Sequence, residues 1–169
     1  HSARAGGWVV VVPVSDSVQV AGCGFGSPQY PWLATDLTEN TAVCTVAMWN
    51  HARFSSGKLG IDVLMLPIWR LLYDHDAELV LSGHDHDYER FARQTANGQL
   101  DIARGLRQFV VGTGGVDHTQ FARVLPNSEV RNADTFGVLK LTLRPDSYDW
   151  QFIPVAGSSF SDTGTGACH

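Results

Sequence analysis

The order of elements written in this chain predicts an α/β fold built on a mixed β-sheet with flanking helices. Three observations carry that prediction. Two apolar, β-branched runs in the first half are separated by a helix-like segment, and a second helix-like segment leads into a third apolar run. The second half then holds three strand-like runs in succession, the last two joined by a turn. A βαβαβ unit followed by a β meander places helices on at least one face of a sheet that mixes parallel and antiparallel pairs.

Taken in order, residues 8–14 (Trp-Val-Val-Val-Val-Pro-Val) form a continuous apolar run and are expected as a central strand buried on both faces. Ser27-Pro28 reads as an N-cap followed by proline at the first helical position, with Trp32, Leu33 and Leu37 at helical spacing up to about Asn40. Residues 43–49 are the second buried strand, and 50–60 a polar, glycine-containing loop leaving its end, where α/β folds place their sites. Residues 61–73 carry Val63, Leu64, Leu66, Ile68, Leu71 and Leu72 and are expected to be helical despite Pro67. Strands follow at 77–81, 109–112, 136–143 and 148–155, with Arg144-Pro145-Asp146-Ser147 as the hairpin turn.

A length of 169 residues with 44% hydrophobic content suffices for one core, so residues 1–169 are expected as one domain, with 1–7 a flexible start and 157–169 a surface-hugging tail. Lys plus Arg is 12 and Asp plus Glu 17, a formal charge of 12 − 17 = −5, which offers no basic footprint for nucleic acid or a membrane surface. No apolar run reaches the roughly 18–20 residues of a membrane span. The start of the chain shows no signal-peptide h-region. Cys23, Cys44 and Cys168 leave an odd thiol if two pair; Cys168, in a Ser/Thr/Gly-rich tail, favours one disulfide stapling that tail over three buried reduced thiols.

The run Gly83-His84-Asp85-His86-Asp87-Tyr88-Glu89-Arg90-Phe91 sets two imidazoles two residues apart, directly after a strand and a glycine. Neutral imidazole is the commonest protein ligand for transition metals, so the run reads as half of a metal site. Two histidines in a charged loop are by themselves weak evidence, and Asp85 and Asp87 fit a solvated loop equally well. Asn50-His51, at the end of another strand of the same sheet, brings further donors to that edge. An unrelated HxH fold is a weaker reading: a (β/α)₈ amidohydrolase needs roughly 200 residues or more, and a cupin jelly roll does not show this βαβαβ order.

With these residues in place, the sequence resembles the calcineurin-like metallophosphoesterases, most closely the bacterial purple-acid-phosphatase-like branch. The matching text is residues 49–57 (Trp-Asn-His-Ala-Arg-Phe-Ser-Ser-Gly), 83–91, 109–115 (Phe-Val-Val-Gly-Thr-Gly-Gly), 126–131 (Pro-Asn-Ser-Glu-Val-Arg) and 162–169 (Asp-Thr-Gly-Thr-Gly-Ala-Cys-His). The resemblance covers the C-terminal half of the family's catalytic domain. It implies a half or compact version of an αββα sandwich and a metal-activated hydroxide that attacks a small phosphoester.

By that resemblance His84, His86 and Asn50 are metal ligands for divalent or trivalent Zn, Fe or Mn ions, and His51 and Asp85 are expected in the catalytic step. Asn50 stands where the family usually has the first histidine of Trp-His-His-Pro. The family's DxH, GDxx(Y/D) and GNH(E/D) motifs do not occur here, so Asp16, Asp117 and His118 are the candidate additional ligands within the chain, with Asp87 a further possible contributor. Tyr88, Glu89 and Arg90 are expected to support the ligands, the last two as a partly buried ion pair. The family commonly has a further cysteine where Ser17 stands, which implies a Cys44–Cys168 disulfide and an unpaired Cys23. It also implies a secreted or periplasmic bacterial setting. The half of the family's domain that does not occur here normally packs against this one, so a homodimer or partner chain is expected to cover an exposed apolar sheet face. An impaired or inactive relative, or half of a site completed by another chain, is the alternative to an enzyme active alone.

Overall fold

In the computed structural model, which describes residues 1–16 and 22–169, the parallel unit forms as the apolar runs predict. Strands β2 (Trp8–Val11), β3 (Cys44–His51), β4 (Leu79–Gly83) and β6 (Arg107–Val111) lie side by side in parallel, with helices α1 (Gln29–Thr38) and α2 (Leu66–Asp74) in the crossovers. Adjacent residues along these strands face opposite layers: Val9, Ala47, Val80 and Val110 pack under the helices, and Trp8, Val46, Leu79 and Phe109 pack on the other side. Both faces are covered, which is why the runs are continuously apolar. Ser17 lies outside the described residues.

A second layer of strands supplies the opposite cover. β8 (Gly137–Arg144), β9 (Ser147–Pro154) and β10 (Thr163–Ala167) form a three-stranded antiparallel sheet whose Tyr148, Trp150 and Phe152 fill the space against the seven-stranded one. The result is a mixed α/β architecture of three layers, helices, large sheet and small sheet. A Cβ at Gly164 or Gly166 would overlap the rings of Trp150 or Tyr148, so the glycines of the tail let it lie flat over these aromatics.

Several expectations are corrected by polar strands that carry no apolar run. The start, expected to be flexible, contains β1 (Ser2–Ala5), a hairpin partner of β2. The 8–14 run is therefore second from the edge rather than central, and it ends at Val11 ahead of Pro13, which has no N–H for a ladder. β5 (Tyr88–Phe91) and β7 (Ser128–Asn132) extend the sheet beyond β6 in the order β4-β6-β5-β7, both in antiparallel pairs. The tail lies along the surface as a paired edge strand. The second helix begins at Leu66 rather than 61, because Pro67 suits its first turn and Asp62 instead caps a short 3₁₀ turn at Val63–Met65. Ser27 accepts from the Tyr30 amide at 3.3 Å, as its N-cap reading requires.

Cys44 and Cys168 form a disulfide with their Cα atoms 5.7 Å apart, and Cys23 is a buried free thiol. Beside that bond the fully buried Glu78 accepts from the Thr45 amide at 2.5 Å. Burial raises its carboxyl from 4.5 to about 7, against the opposing effect of the Thr45 and His169 amides. The folded state thus binds a proton that the unfolded chain releases, so this stabilisation is full below the unfolded value and is lost as pH rises through about 7. Glu78→Gln needs no proton there and is expected to gain about 3 kcal/mol on the native chain between about pH 4 and pH 8. Urea midpoints measured across that range test it; a constant difference between the two proteins would show that Glu78 does not titrate on unfolding.

Candidate metal-binding edge

The site residues meet at the carboxyl ends of the parallel strands, the usual place in an open α/β sheet. β2 leads to Ser15 and Asp16, β3 ends in Asn50 and His51, and β4 ends in Gly83 before the histidine loop. Because β6 lies between β4 and β5, the loop 84–87 must cross over the end of β6 to enter β5. It crosses at Gly112, whose amide donates to the Asp87 carbonyl at 2.9 Å, and a Cβ on Gly112 would overlap the Asp85 carbonyl oxygen. The glycine is there for close approach of two backbones.

Along the loop and into β5 the side chains alternate. His84 is exposed and His86 half-buried, whereas Asp85, Asp87 and Glu89 are buried beneath residues 55–59. Asp85 accepts from the Ser55 hydroxyl at 2.5 Å and the Leu59 amide at 3.1 Å. Glu89 accepts from the amide and hydroxyl of Ser56 and from the Ser128 hydroxyl. A Cβ on Gly57 would sit 2.7 Å from an Asp87 carboxylate oxygen, so this position too requires glycine. Burial, then the neighbouring Asp85 and Glu89, pushes Asp87 up to about 8, so it is largely protonated at neutral pH. Asp85, expected in the catalytic step, thus anchors the 55–59 loop. The serines that hold these acids stood in the matching text without a role, and only the pairing of the two loops in space supplies one.

The outward groups gather. The rings of His51 and His84 are 4.1 Å apart, and Asn50 Nδ2 lies 3.3 Å from His84 Nδ1. Ser15, which the sequence reading did not single out, fixes His51: its Oγ accepts from the His51 amide at 2.9 Å and lies 3.0 Å from Nδ1. Asp16 follows it at the same edge. Burial, and then His51, lowers the pKa of His84, which favours the neutral form a metal requires. His86 Nδ1 lies 2.7 Å from Asp117, and the Thr119 amide donates to the His86 carbonyl at 3.0 Å. Asp117 is therefore placed to orient His86. His118 stacks on Phe136 at 4.0 Å instead of joining the other imidazoles.

The expected Glu89–Arg90 ion pair does not form, because adjacent strand residues face opposite layers. Arg90 donates from Nε to Asp162 at 2.7 Å and also reaches Glu129, and the Tyr88 hydroxyl donates to the same Asp162 at 2.7 Å. These four residues bind the tail and β7 to β5.

His84 has a φ of 69°, a left-handed conformation that costs a residue with a Cβ. His84→Gly is expected to raise stability by about 1 kcal/mol while removing the imidazole, the signature of strain held at a functional position. Chemical unfolding checks it; a loss of stability would mean that contacts of the ring outweigh the strain.

A mixed sheet, covered by helices on one face and by a second sheet on the other, with an HxH loop at its carboxyl edge, defines the class of fold. No family model matches the sequence, and neither does any curated protein. Solved structures do. Purple acid phosphatase PPD1 from yellow lupin (Lupinus luteus) seeds superimposes with a TM-score of 0.84 at 18% identity, over 99% of this chain and 32% of that one. GAP50, the anchor in the inner membrane complex of Plasmodium, gives 0.76 at 15% over 96% and 50%, and PhoD 0.63 at 14% over 98% and 40%. The chain shares the fold of these structures and spans one third to one half of their length.

The donors at this edge fit one arm of a metal centre and not a complete two-metal one. Among the described residues no group of three or more His, Cys, Asp or Glu is arranged to hold an ion. The acids of the loop and of β5, Asp85, Asp87 and Glu89, turn inward.

Proposed function

We propose that this chain forms the imidazole-bearing half of a metal-dependent phosphoester hydrolase, with His84, His86 and Asn50 as its ligand arm for Zn, Fe or Mn and His51 beside them. The observation that carries the reading is the alternation in the histidine loop: two imidazoles are presented outward at a sheet edge while three acids turn inward beneath them, two of which, Asp85 and Glu89, tie the loop and β5 to residues 55–59. That construction serves ligand presentation, and the fold is one in which phosphatases occur.

The carboxylate ligands are then supplied by polypeptide that packs against this one. A groove of about 380 Å³ between Met48, Leu81 and Val111 of the large sheet and Val138 and Leu139 of β8 opens beside Asn50 and supports that reading. β8 is an edge of the small sheet, and beyond Gly137, which bonds to Thr113, no strand of the described residues pairs with its outer side, so a strand from a partner chain or a second copy has a place to add. The disulfide suits an oxidising, extracytoplasmic compartment, and no helix of the described residues is long and apolar enough to cross a membrane.

Hydrolysis of 4-nitrophenyl phosphate by the metal-loaded chain, alone and mixed with a polypeptide carrying the DxH, GDxx(Y/D) and GNH(E/D) motifs, tests this. Turnover is expected only in the mixture and only with His84 and His86 intact. Turnover that survives loss of both histidines would refute the assignment.

A further inference from the structure

The second cavity at this edge has a different character from the groove beside Asn50. It is a half-open cleft of about 250 Å³ lined by His51, His84, Leu59, Ile61, Asp62 and Asp85. Its outer wall belongs to a stretch of six residues in which four aliphatic side chains face solvent: Leu59 is 54% exposed, Ile61 48%, Val63 67% and Leu64 54%. Single exposed aliphatics are ordinary, whereas four within six residues, two of them lining a cavity with two histidines, mark a binding surface.

The stretch is held open rather than collapsed. The Leu59 amide is anchored on Asp85 at 3.1 Å, the same carboxylate that fixes the histidine loop. At the other end Asp62 accepts from the Leu64 amide at 2.8 Å, and the buried Met65 pins the turn into the core. Gly60, at a φ of 70°, makes the bend between the anchors. The wall is thus tied rigidly to the element that carries His84, and it presents apolar surface next to the imidazoles.

We infer that this pocket is a subsite for the apolar alcohol portion of the substrate, so that the phosphoesters taken here are those of aromatic or branched aliphatic alcohols. The inference rests on the phosphoester reading above and adds to it the class of leaving group. The volume suits one ring, since a cavity of about 150 Å³ already accepts benzene. Apolar area removed from water on Leu59 and Ile61 then adds to whatever binds the phosphoryl group.

The test follows the methyl resonances of Leu59 and Ile61 during titration with phenylphosphonate, methylphosphonate and phenol, with and without Zn²⁺. Phenylphosphonate and phenol are expected to shift both methyls through the ring current, and phenylphosphonate to bind about tenfold more tightly than methylphosphonate. Ile61→Ser, a change at a half-exposed position that leaves the fold intact, is expected to bring that ratio close to one while leaving methylphosphonate binding unchanged. Leu59→Ser is the second variant and has the same expectation. Equal affinity for the two phosphonates, or methyls that do not move, would overturn the inference. Phenol that moves the methyls while neither phosphonate responds to His84→Ala would uphold the apolar subsite and remove the phosphoester reading.

Discussion

Replacing Cys44 and Cys168 together by alanine is expected to cost about 4 kcal/mol of stability. The bond joins residues 124 positions apart, so it removes a long closed loop from the freedom of the unfolded chain. It also locates the tail: Cys168 follows β10, its amide donates to the Asp146 carbonyl at 2.9 Å, and Cys44 begins β3. Without the bond, β10 would rest on its ladder with β9, on Asp162 and on the packing of Gly164 and Gly166 over Trp150 and Tyr148. Urea unfolding of the oxidised native chain and the double variant measures the difference. A loss under about 1 kcal/mol would show that the noncovalent contacts of the tail suffice.

Gly112→Ala is expected to cost at least about 3 kcal/mol and to displace the histidine loop. The new methyl would overlap a backbone carbonyl, which cannot rotate away as a side chain can. Relief requires moving either β6 or residues 85–86, and β6 is held between β4 and β5. The loop is therefore the part that shifts, and the orientation of His86 goes with it. Gly114→Ala is the control, because nothing lies within 4 Å of a Cβ there. It is expected to change stability by less than about 0.5 kcal/mol. Equal effects of the two substitutions would show that the crossing over Gly112 is not tight.

The parallel core was legible in the sequence because strands buried on both faces leave an unmistakable apolar run, as at 43–49 and 109–112. The strands that escaped notice are those whose polar residues are satisfied from outside the strand. Arg90 in β5 and Glu129 in β7 read as loop until Asp162, 72 residues further on, is brought to Arg90. The small sheet was half visible: β8 and β9 alternate, but β10 is mostly glycine and threonine and packs through what its glycines leave open. At the site, the position of His84 and His86 followed from the strand and glycine before them. The opposite orientation of Asp85 and Asp87 did not, because it depends on Ser55, Ser56 and Gly57, which come from another strand end. A period-two reading carried from β5 back into the loop would have separated the outward imidazoles from the inward acids.

The claim that the outward residues of this loop are metal ligands and the inward ones are not is tested most directly by titrating Zn²⁺ into three proteins at neutral pH. These are the native chain, the His84→Ala/His86→Ala double variant, and Asp87→Asn. The native chain and Asp87→Asn are expected to bind with equal affinity, and the double variant at least about tenfold more weakly. Undiminished binding by the double variant, or a loss confined to Asp87→Asn, would contradict the account.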